Sequence, residues 1–395
     1  MKVQVRSGDS LWYYSQLFMI PLNLLIDSNP NINPAALQVG QNVNIPGFDL
    51  QSYTIQKGDT LWRLATSRNL SVDALLLLNQ EINPNKLQVG QRIFLPRRVI
   101  TRIVNERQEY DFETLTEDIR ELSEIYPFIK VNTIGESVLG KPIQEIRLGK
   151  GTKKIHMNAS FHANEWITTP VLMTLLNTFL LSLTNASSVR GITTMPLYNS
   201  VDLSIVPMVN PDGVNLVLNG PPPEVREQVL KINNGSTDFK GWKANIRGVD
   251  LNNQYPAQWE VEKERTPAKA PAPRDFPGDA PLTEPEAIAM AELARNNNFD
   301  RVLAFHTQGE EFYWGYEGLE PAISSRLAQE FQRVSGYRSV RYIDSYAGYK
   351  DWIIKEFRKA GFTLELGKGI NPLPLSQFNE IYEEVLGIFL VSMLI

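Results

Sequence analysis

Lys154-Ile155-His156-Met157-Asn158-Ala159-Ser160-Phe161-His162-Ala163-Asn164-Glu165 is the stretch on which the reading of the fold turns. Its first half, Lys154 to Ala159, is short, largely apolar and free of Gly and Pro, the pattern of a buried strand. Its second half sets an imidazole and a carboxylate three positions apart, neighbours on one face if the segment is helical or tightly turned. The apolar run Val171 to Leu183 comes next, interrupted by Thr174, Asn177 and Thr178. It is too short to cross a bilayer of ~30 Å at 1.5 Å per residue and is read as a buried helix, with no membrane span expected.

Strand, polar turn, helix recurs further along. Val201 to Pro207, Arg301 to Phe305 and Phe362 to Leu366 are short apolar runs that each meet a polar motif at one end. Phe112 to Tyr126 has helical spacing, with Leu115, Ile119 and Leu122 on one face and Glu113, Glu117 and Glu121 on the other. Strands interleaved with helices predict an α/β domain over residues 104–395, its mixed and mostly parallel sheet covered by helices. In such sheets ligands sit beyond the carboxyl ends of the strands, where these polar motifs fall. The Pro- and Ala-rich stretch Thr266 to Pro281 is expected to be a long surface loop forming one wall of a cleft.

The residues ahead of this domain repeat themselves. Ser7-Gly8-Asp9-Ser10-Leu11-Trp12 returns as Lys57-Gly58-Asp59-Thr60-Leu61-Trp62, and Leu37-Gln38-Val39-Gly40-Gln41 returns unchanged as Leu87-Gln88-Val89-Gly90-Gln91. Asn31-Ile32-Asn33-Pro34 likewise matches Glu81-Ile82-Asn83-Pro84, all at one constant offset. Each unit reads as a short strand, a Gly-Asp turn, a helix, an Asn/Pro loop, a second helix and a closing strand that ends at Pro46 or Pro96. The units, residues 1–48 and 51–98, resemble LysM modules, βααβ domains. That resemblance implies binding of N-acetylglucosamine-containing glycans such as peptidoglycan. A purely structural appendage is the competing reading. Arg97 to Arg102 form a basic connector to the larger domain.

Composition narrows the chemistry. The 395 residues are 43% apolar and 21% charged, which fits globular domains with sizeable cores. A net charge of -5 offers no basic stripe for tracking phosphates, so no nucleic-acid partner is expected. Cysteine is absent, which excludes disulfides, thiolate metal sites and cysteine nucleophiles. Met1 to Asp9 has no apolar stretch of signal-peptide length, from which cytoplasmic residence is expected, with release to the cell wall or spore as the route to a wall substrate.

Any metal must therefore use His and carboxylate. The chain has three histidines, His156, His162 and His306. His156 lies inside its strand and is expected to be a core residue. His162, Glu165 and His306 would provide two imidazoles and a carboxylate at strand ends with a fourth position open, the donor set of a catalytic rather than a structural zinc.

Five motifs in order extend this reading: His162-Ala163-Asn164-Glu165, Asn210-Pro211-Asp212-Gly213, Gly248-Val249-Asp250-Leu251-Asn252, His306, and Thr363-Leu364-Glu365-Leu366-Gly367. The series resembles that of the M14 zinc carboxypeptidases. The resemblance implies an eight-stranded sheet flanked by helices and one Zn2+ per chain held by His162, Glu165 and His306. It implies that Glu365 is the general base and that Asp250 orients the first histidine. It places Lys243, or else Arg247, where an arginine polarises the scissile carbonyl. Asn252 and Tyr346 fall at substrate-contacting positions.

One departure is informative. Asn252-Asn253 stands where carboxypeptidases show Asn-Arg, and Asn253 lacks the charge that pairs with a terminal carboxylate. With LysM-like repeats in front, the arrangement most resembles the bacterial γ-D-glutamyl-meso-diaminopimelate peptidases, which implies hydrolysis of peptidoglycan stem peptides or muropeptides. Diaminopimelate carries both signs of charge, for which Glu310, Glu311 and Arg274 are candidates. A zinc carboxypeptidase of ordinary peptides and a non-catalytic wall-binding protein are the alternatives.

Overall fold

The computed structural model describes residues 1–106 and 108–395. Two compact units emerge: Met1–Ile103 with Ile119–Lys130 and Asn177–Met195, and Val104–Asp118 with Val131–Leu176 and Pro196–Ile395.

In the first unit each repeat is a βααβ module. The first has strands Lys2–Gln4 and Asn42–Asn44 paired antiparallel, with helices Leu11–Phe18 and Leu22–Asp27 between them. The second has helices Leu61–Thr66 and Val72–Leu78 between strands Phe48–Thr54 and Arg92–Arg98. The sequence reading misplaced one piece: the Asn/Pro loops follow both helices instead of separating them. The apolar run is divided earlier, where Met19 and Asn69 take left-handed backbone (φ 50° and 53°), and Pro21 and Ser71 then begin the next helix. The second closing strand also continues through Pro96, which lies opposite Leu50 in a two-stranded pairing where a missing N–H is tolerated.

Ser10 and Thr60 cap the first helix of each module by accepting from the amides of Tyr13 and Arg63. Asn29 and Asn79 each tie a helix to a strand. Their side-chain amides donate to Leu25 and Asn44 or to Leu75 and Phe94, and their oxygens accept from the amides of Asn44 and Phe94. The repeated asparagine is therefore structural. The modules join through Arg6, whose guanidinium bonds both Asp9 and Asp73.

The second unit is built on an eight-stranded mixed sheet. We number its strands β1 (Lys130–Glu136), β2 (Pro142–Leu148), β3 (Lys153–Ala159), β4 (Val201–Val206), β5 (Arg301–His306), β6 (Glu311–Tyr313), β7 (Arg338–Val340) and β8 (Ala360–Glu365). Their order across the sheet is β7-β6-β8-β5-β3-β4-β2-β1. The centre is parallel, β4 with β3, β3 with β5 and β5 with β8, while β2 and β6 run antiparallel to β4 and β8. Central strands are buried on both faces, as parallel strands require; β5 is buried throughout.

Helix Thr168–Thr184, with the turn before it, is apolar and long enough to cross a membrane, but 89% of that window is buried inside the protein, so it serves as a core helix. His156 is fully buried, its ring stacked 4.9 Å from Phe299 and its Nδ1 3.0 Å from Ser204 Oγ. Burial lowers its pKa to about 3, so it stays neutral in the fold.

Candidate metal centre and cleft

Parallel strands end in register, and that register brings the site together. His306 and Glu365 are paired final residues of β5 and β8. Just past the end of β3, Ser160 takes a left-handed turn (φ 50°), and His162 opens the single helical turn Ala163–Glu165, which folds Glu165 back beside it. Asn210, in the second motif, locks this turn. Its amide donates to the carbonyls of Phe161 and Ala244 while its oxygen caps the next helix at Gly213. Gly213 allows the close approach, because a Cβ there would lie 2.8 Å from that of Ala163.

The donors converge. His162 Nδ1 lies 2.8 Å from Glu165 Oε1 and 3.1 Å from His306 Nδ1, which is 3.0 Å from Glu165 Oε2. Two imidazole nitrogens face one another with a carboxylate between them and little else to satisfy them. Tetrahedral zinc with bonds of about 2.0–2.1 Å needs ligand atoms about 3.3 Å apart, so the three donors fit such an ion with a small outward shift. Among the described residues the other grouping of acids close enough to hold a cation is Glu310, Glu380 and Glu384, which is partly exposed.

Asp250 sets the tautomer. His162 Nε2 lies 3.2 Å from Asp250 Oδ1, so a neutral His162, the form that binds a metal, keeps its proton on that nitrogen and turns its Nδ1 lone pair to the donor cluster. Asp250 also holds Lys243 Nζ at 2.9 Å, and Asp275 lies 3.4 Å from the same ammonium. Burial would raise the Asp250 pKa, but Lys243 and His162 drive it below the usual carboxylate range. Against burial, Glu165 is likewise lowered by His162, whereas the carboxylates of Glu165 and Asp250 raise His162 to about 9. Glu365 goes the other way, pushed far upward by burial and by the charge of Glu165.

The cluster opens into a cavity of about 350 Å³ lined by His162, Lys243, Asn252, Asn253 and Glu365. Arg247 is half exposed, lies near Glu284 and does not line it, so of the two it is Lys243 that reaches the cavity. Tyr346 lines an adjacent depression, its ring under Arg265 and its amide donating to Glu262. The Pro/Ala-rich loop contributes Thr266, Pro267 and Asp275 to the wall. It is tied down as well as exposed: Pro273 O accepts from Lys243 and Ala244, Phe276 O accepts from Asp250, and Phe276 is buried.

The charged candidates for a diamino acid lie elsewhere. Glu310 pairs with Lys368, Glu311 with Arg338, and Arg274 with Asp275, and none of the three candidates lines the cavity. The cavity instead presents Lys350, Asp351, Glu262 and Arg265, which the sequence reading did not single out. The available signal was an adjacent Lys and Asp placed between Tyr349 and the apolar run Trp352-Ile353-Ile354.

A buried two-histidine, one-carboxylate cluster at the carboxyl ends of a mixed sheet, opening on a cleft with a separate glutamate, defines a metallopeptidase-type centre. Comparison with known proteins specifies it. The zinc carboxypeptidase family model matches residues 115–387 and the LysM domain model matches residues 3–46 and 53–96. This chain belongs to the zinc carboxypeptidase family and is a metallopeptidase with two LysM domains. It is 60% identical, over the whole of both chains, to gamma-D-glutamyl-L-diamino acid endopeptidase 1 of Lysinibacillus sphaericus. It is 51% identical over 293 residues, 72% of this chain and 77% of the relative, to the uncharacterized protein YqgT of Bacillus subtilis. Bovine thrombin-activatable fibrinolysis inhibitor, solved with a tick carboxypeptidase inhibitor, shares the fold at TM-score 0.58 and 18% identity, with 73% of this chain and 97% of that chain covered.

Proposed function

We propose that this chain hydrolyses the γ-D-glutamyl to diamino acid bond of peptidoglycan stem peptides, with meso-diaminopimelate as the diamino acid. One zinc ion would be held by His162, Glu165 and His306. The full-length similarity to an endopeptidase of that printed specificity carries the substrate assignment. The neutral Asn253 on the cavity wall supports it, since no guanidinium stands at that position to demand a free terminal carboxylate.

A bound zinc ion would supply Lewis acidity, polarising the scissile carbonyl and acidifying the attacking water. The rest belongs to the chain. Glu365, at the edge of the cleft, takes the water proton and returns it to the departing amine. Lys243, anchored by Asp250 and Asp275, has a remaining N–H to offer the carbonyl oxygen as negative charge develops. Asn252 is fixed for substrate contact by accepting from the amide of Tyr349 and donating its own amide to Asp250. Tyr346 would have to swing from its depression to close over substrate.

The LysM domains would hold the enzyme to N-acetylglucosamine-containing glycan. The equivalent Trp12 and Trp62, 62% and 66% exposed beside their Gly-Asp loops, give each module an aromatic face of the kind sugars stack on.

The test is mass spectrometry of the products from a defined muropeptide. Wild-type protein loaded with zinc should release a fragment beginning at diaminopimelate. Glu365→Gln should retain the metal and lose about 10²–10⁴-fold in kcat. Full activity in that variant would eliminate the mechanism, and cleavage of hippuryl-type peptides in preference to γ-D-glutamyl ones would transfer the chain to ordinary carboxypeptidase chemistry.

A further inference from the structure

The Pro- and Ala-rich residues 266–281 are held more firmly than an exposed loop of that composition needs to be, and the tightest stretch meets the Lys243–Asp250 pair. Pro273 O accepts from the backbone amides of Lys243 and Ala244, at 2.8 and 3.0 Å, and Phe276 O accepts from that of Asp250 at 2.7 Å. Gly248 O accepts from the amide of Ala272 at 3.0 Å, an approach that a Cβ on Gly248, 2.9 Å from the same nitrogen, would block. Phe276 is buried and anchors the stretch from inside. Between these fixed points lies Asp275, in left-handed backbone (φ 65°) that a residue with a side chain adopts only against a steric penalty. A strap fastened on both sides therefore presents one strained residue to Lys243.

A lysine needs such a neighbour where an arginine would not. Its ammonium is a point charge on a flexible stem, with no planar fork to set its direction. With Asp250 as sole partner, 2.9 Å away, the group could turn about that one carboxylate. Asp275 Oδ1, 3.4 Å from the same nitrogen, holds it from a second segment of the chain. Two of the three N–H groups are then committed, and the tetrahedral nitrogen fixes the third. The other oxygen of Asp275 accepts from Arg274 Nε at 3.0 Å, on the exposed side of the strap.

We propose that Asp275 is a positioning residue for the hydrolysis. Acting through Lys243, it aims the remaining N–H at the carbonyl oxygen as that oxygen becomes negative, and the strap of residues 272–276 keeps it in place. The assignment rests on the reading of Lys243 as the cation that meets the scissile carbonyl. Removing one such donor outright costs about 10²–10³-fold in kcat, and about 1 Å of misplacement can cost about a hundredfold.

Kinetics of the full-length, zinc-loaded enzyme on L-Ala-γ-D-Glu-meso-diaminopimelate test it. Asp275→Asn should lower kcat by about 10–100-fold and leave KM within about threefold, because the contact matters only as charge develops on oxygen. A phosphinate in place of the scissile amide carries that charge already, and its affinity should fall by a similar factor. In a Lys243→Met background, itself slower by about 10²–10³-fold, adding Asp275→Asn should change kcat by less than about threefold, since the ammonium it acts through is gone. Arg274→Gln, which alters the exposed side of the same carboxylate, should stay within about threefold of wild type. Wild-type kcat in Asp275→Asn, a rise in KM as large as the fall in kcat, the same Asp275→Asn factor in both backgrounds, or an equal fall in Arg274→Gln would each overturn the assignment. Phosphinate affinity is read on Asp275→Asn alone, so the result stands even if Lys243→Met fails to fold. If wild type leaves the tripeptide intact, the γ-D-glutamyl reading is what fails, and the same comparison on a peptide that it does cleave still decides the role of Asp275.

Discussion

Asp250→Asn separates the work of charge from the work of shape at the metal centre. The substitution keeps the volume and leaves an oxygen that can accept from His162 Nε2, now 3.2 Å from Asp250 Oδ1. It removes the negative charge that faces both His162 and the Lys243 ammonium 2.9 Å away. Carboxylate partners of metal-bound histidines are worth about 10–100-fold in metal affinity, so zinc binding should weaken by about 1.4–2.8 kcal/mol. Metal-free protein should also lose stability. Removing one partner of a buried ion pair costs about 3–5 kcal/mol, and the second contact of Lys243 with Asp275, 3.4 Å away, places the loss at the low end. Competition with a chromophoric zinc chelator reads the affinity, and thermal unfolding without metal reads the stability. Asp275→Asn serves as control, because it removes a partner of Lys243 without touching His162, so affinity should stay within about threefold. Unchanged zinc affinity in Asp250→Asn, or an equal fall in Asp275→Asn, would refute the tautomer argument.

Further expectations follow from packing and titration. A Cβ on Gly151 would lie 1.9 Å from the carbonyl carbon of Ser200, so Gly151→Ala should destabilise by about 1–3 kcal/mol in denaturant titration. Glu286 is fully buried and its pKa is raised by burial to about 7, well above its ordinary 4.5. A carboxyl raised in the fold binds more protons than in the unfolded chain, so its contribution to stability is complete below pH 4.5 and is lost as pH rises through 7. Glu286→Gln should therefore flatten the fall in stability between pH 5 and 8 by on the order of 3 kcal/mol, followed by thermal melts across that range.

How much of this was legible beforehand depended on the range of the interaction. A mixed, mostly parallel sheet and the convergence of His162, Glu165 and His306 could be read because strand ends in a parallel sheet are placed by topology, and the motifs mark those ends; the count of eight strands came from the family resemblance. His156 was legible as a core residue from its position within a strand. The helix boundary at Met19 was not, because left-handed backbone at a methionine carries no sequence signal, and the loop with the stronger turn residues drew the break instead. Lys350 and Asp351 were missed for another reason. A sequence pattern assigns charges to solvent, and only tertiary structure puts this pair in a cavity wall. Glu310, Glu311 and Arg274 were candidates for their charge, yet each is committed to a different partner.

The replacement of an expected arginine by Asn253 connects the cleft to the kind of peptide it admits. A guanidinium at that position would be buried by substrate and would need an anion to offset its desolvation, so only a chain ending there would bind well. A side-chain amide makes no such demand. It donates to a carboxylate or to the carbonyl of a continuing chain at nearly equal cost, since neither outcome leaves a buried charge unpaired. The cavity wall nevertheless carries charge, in Lys243 held by Asp250 and in Lys350 paired with Asp351. A cleft organised in that way does not require the peptide to end at the residue beside Asn253.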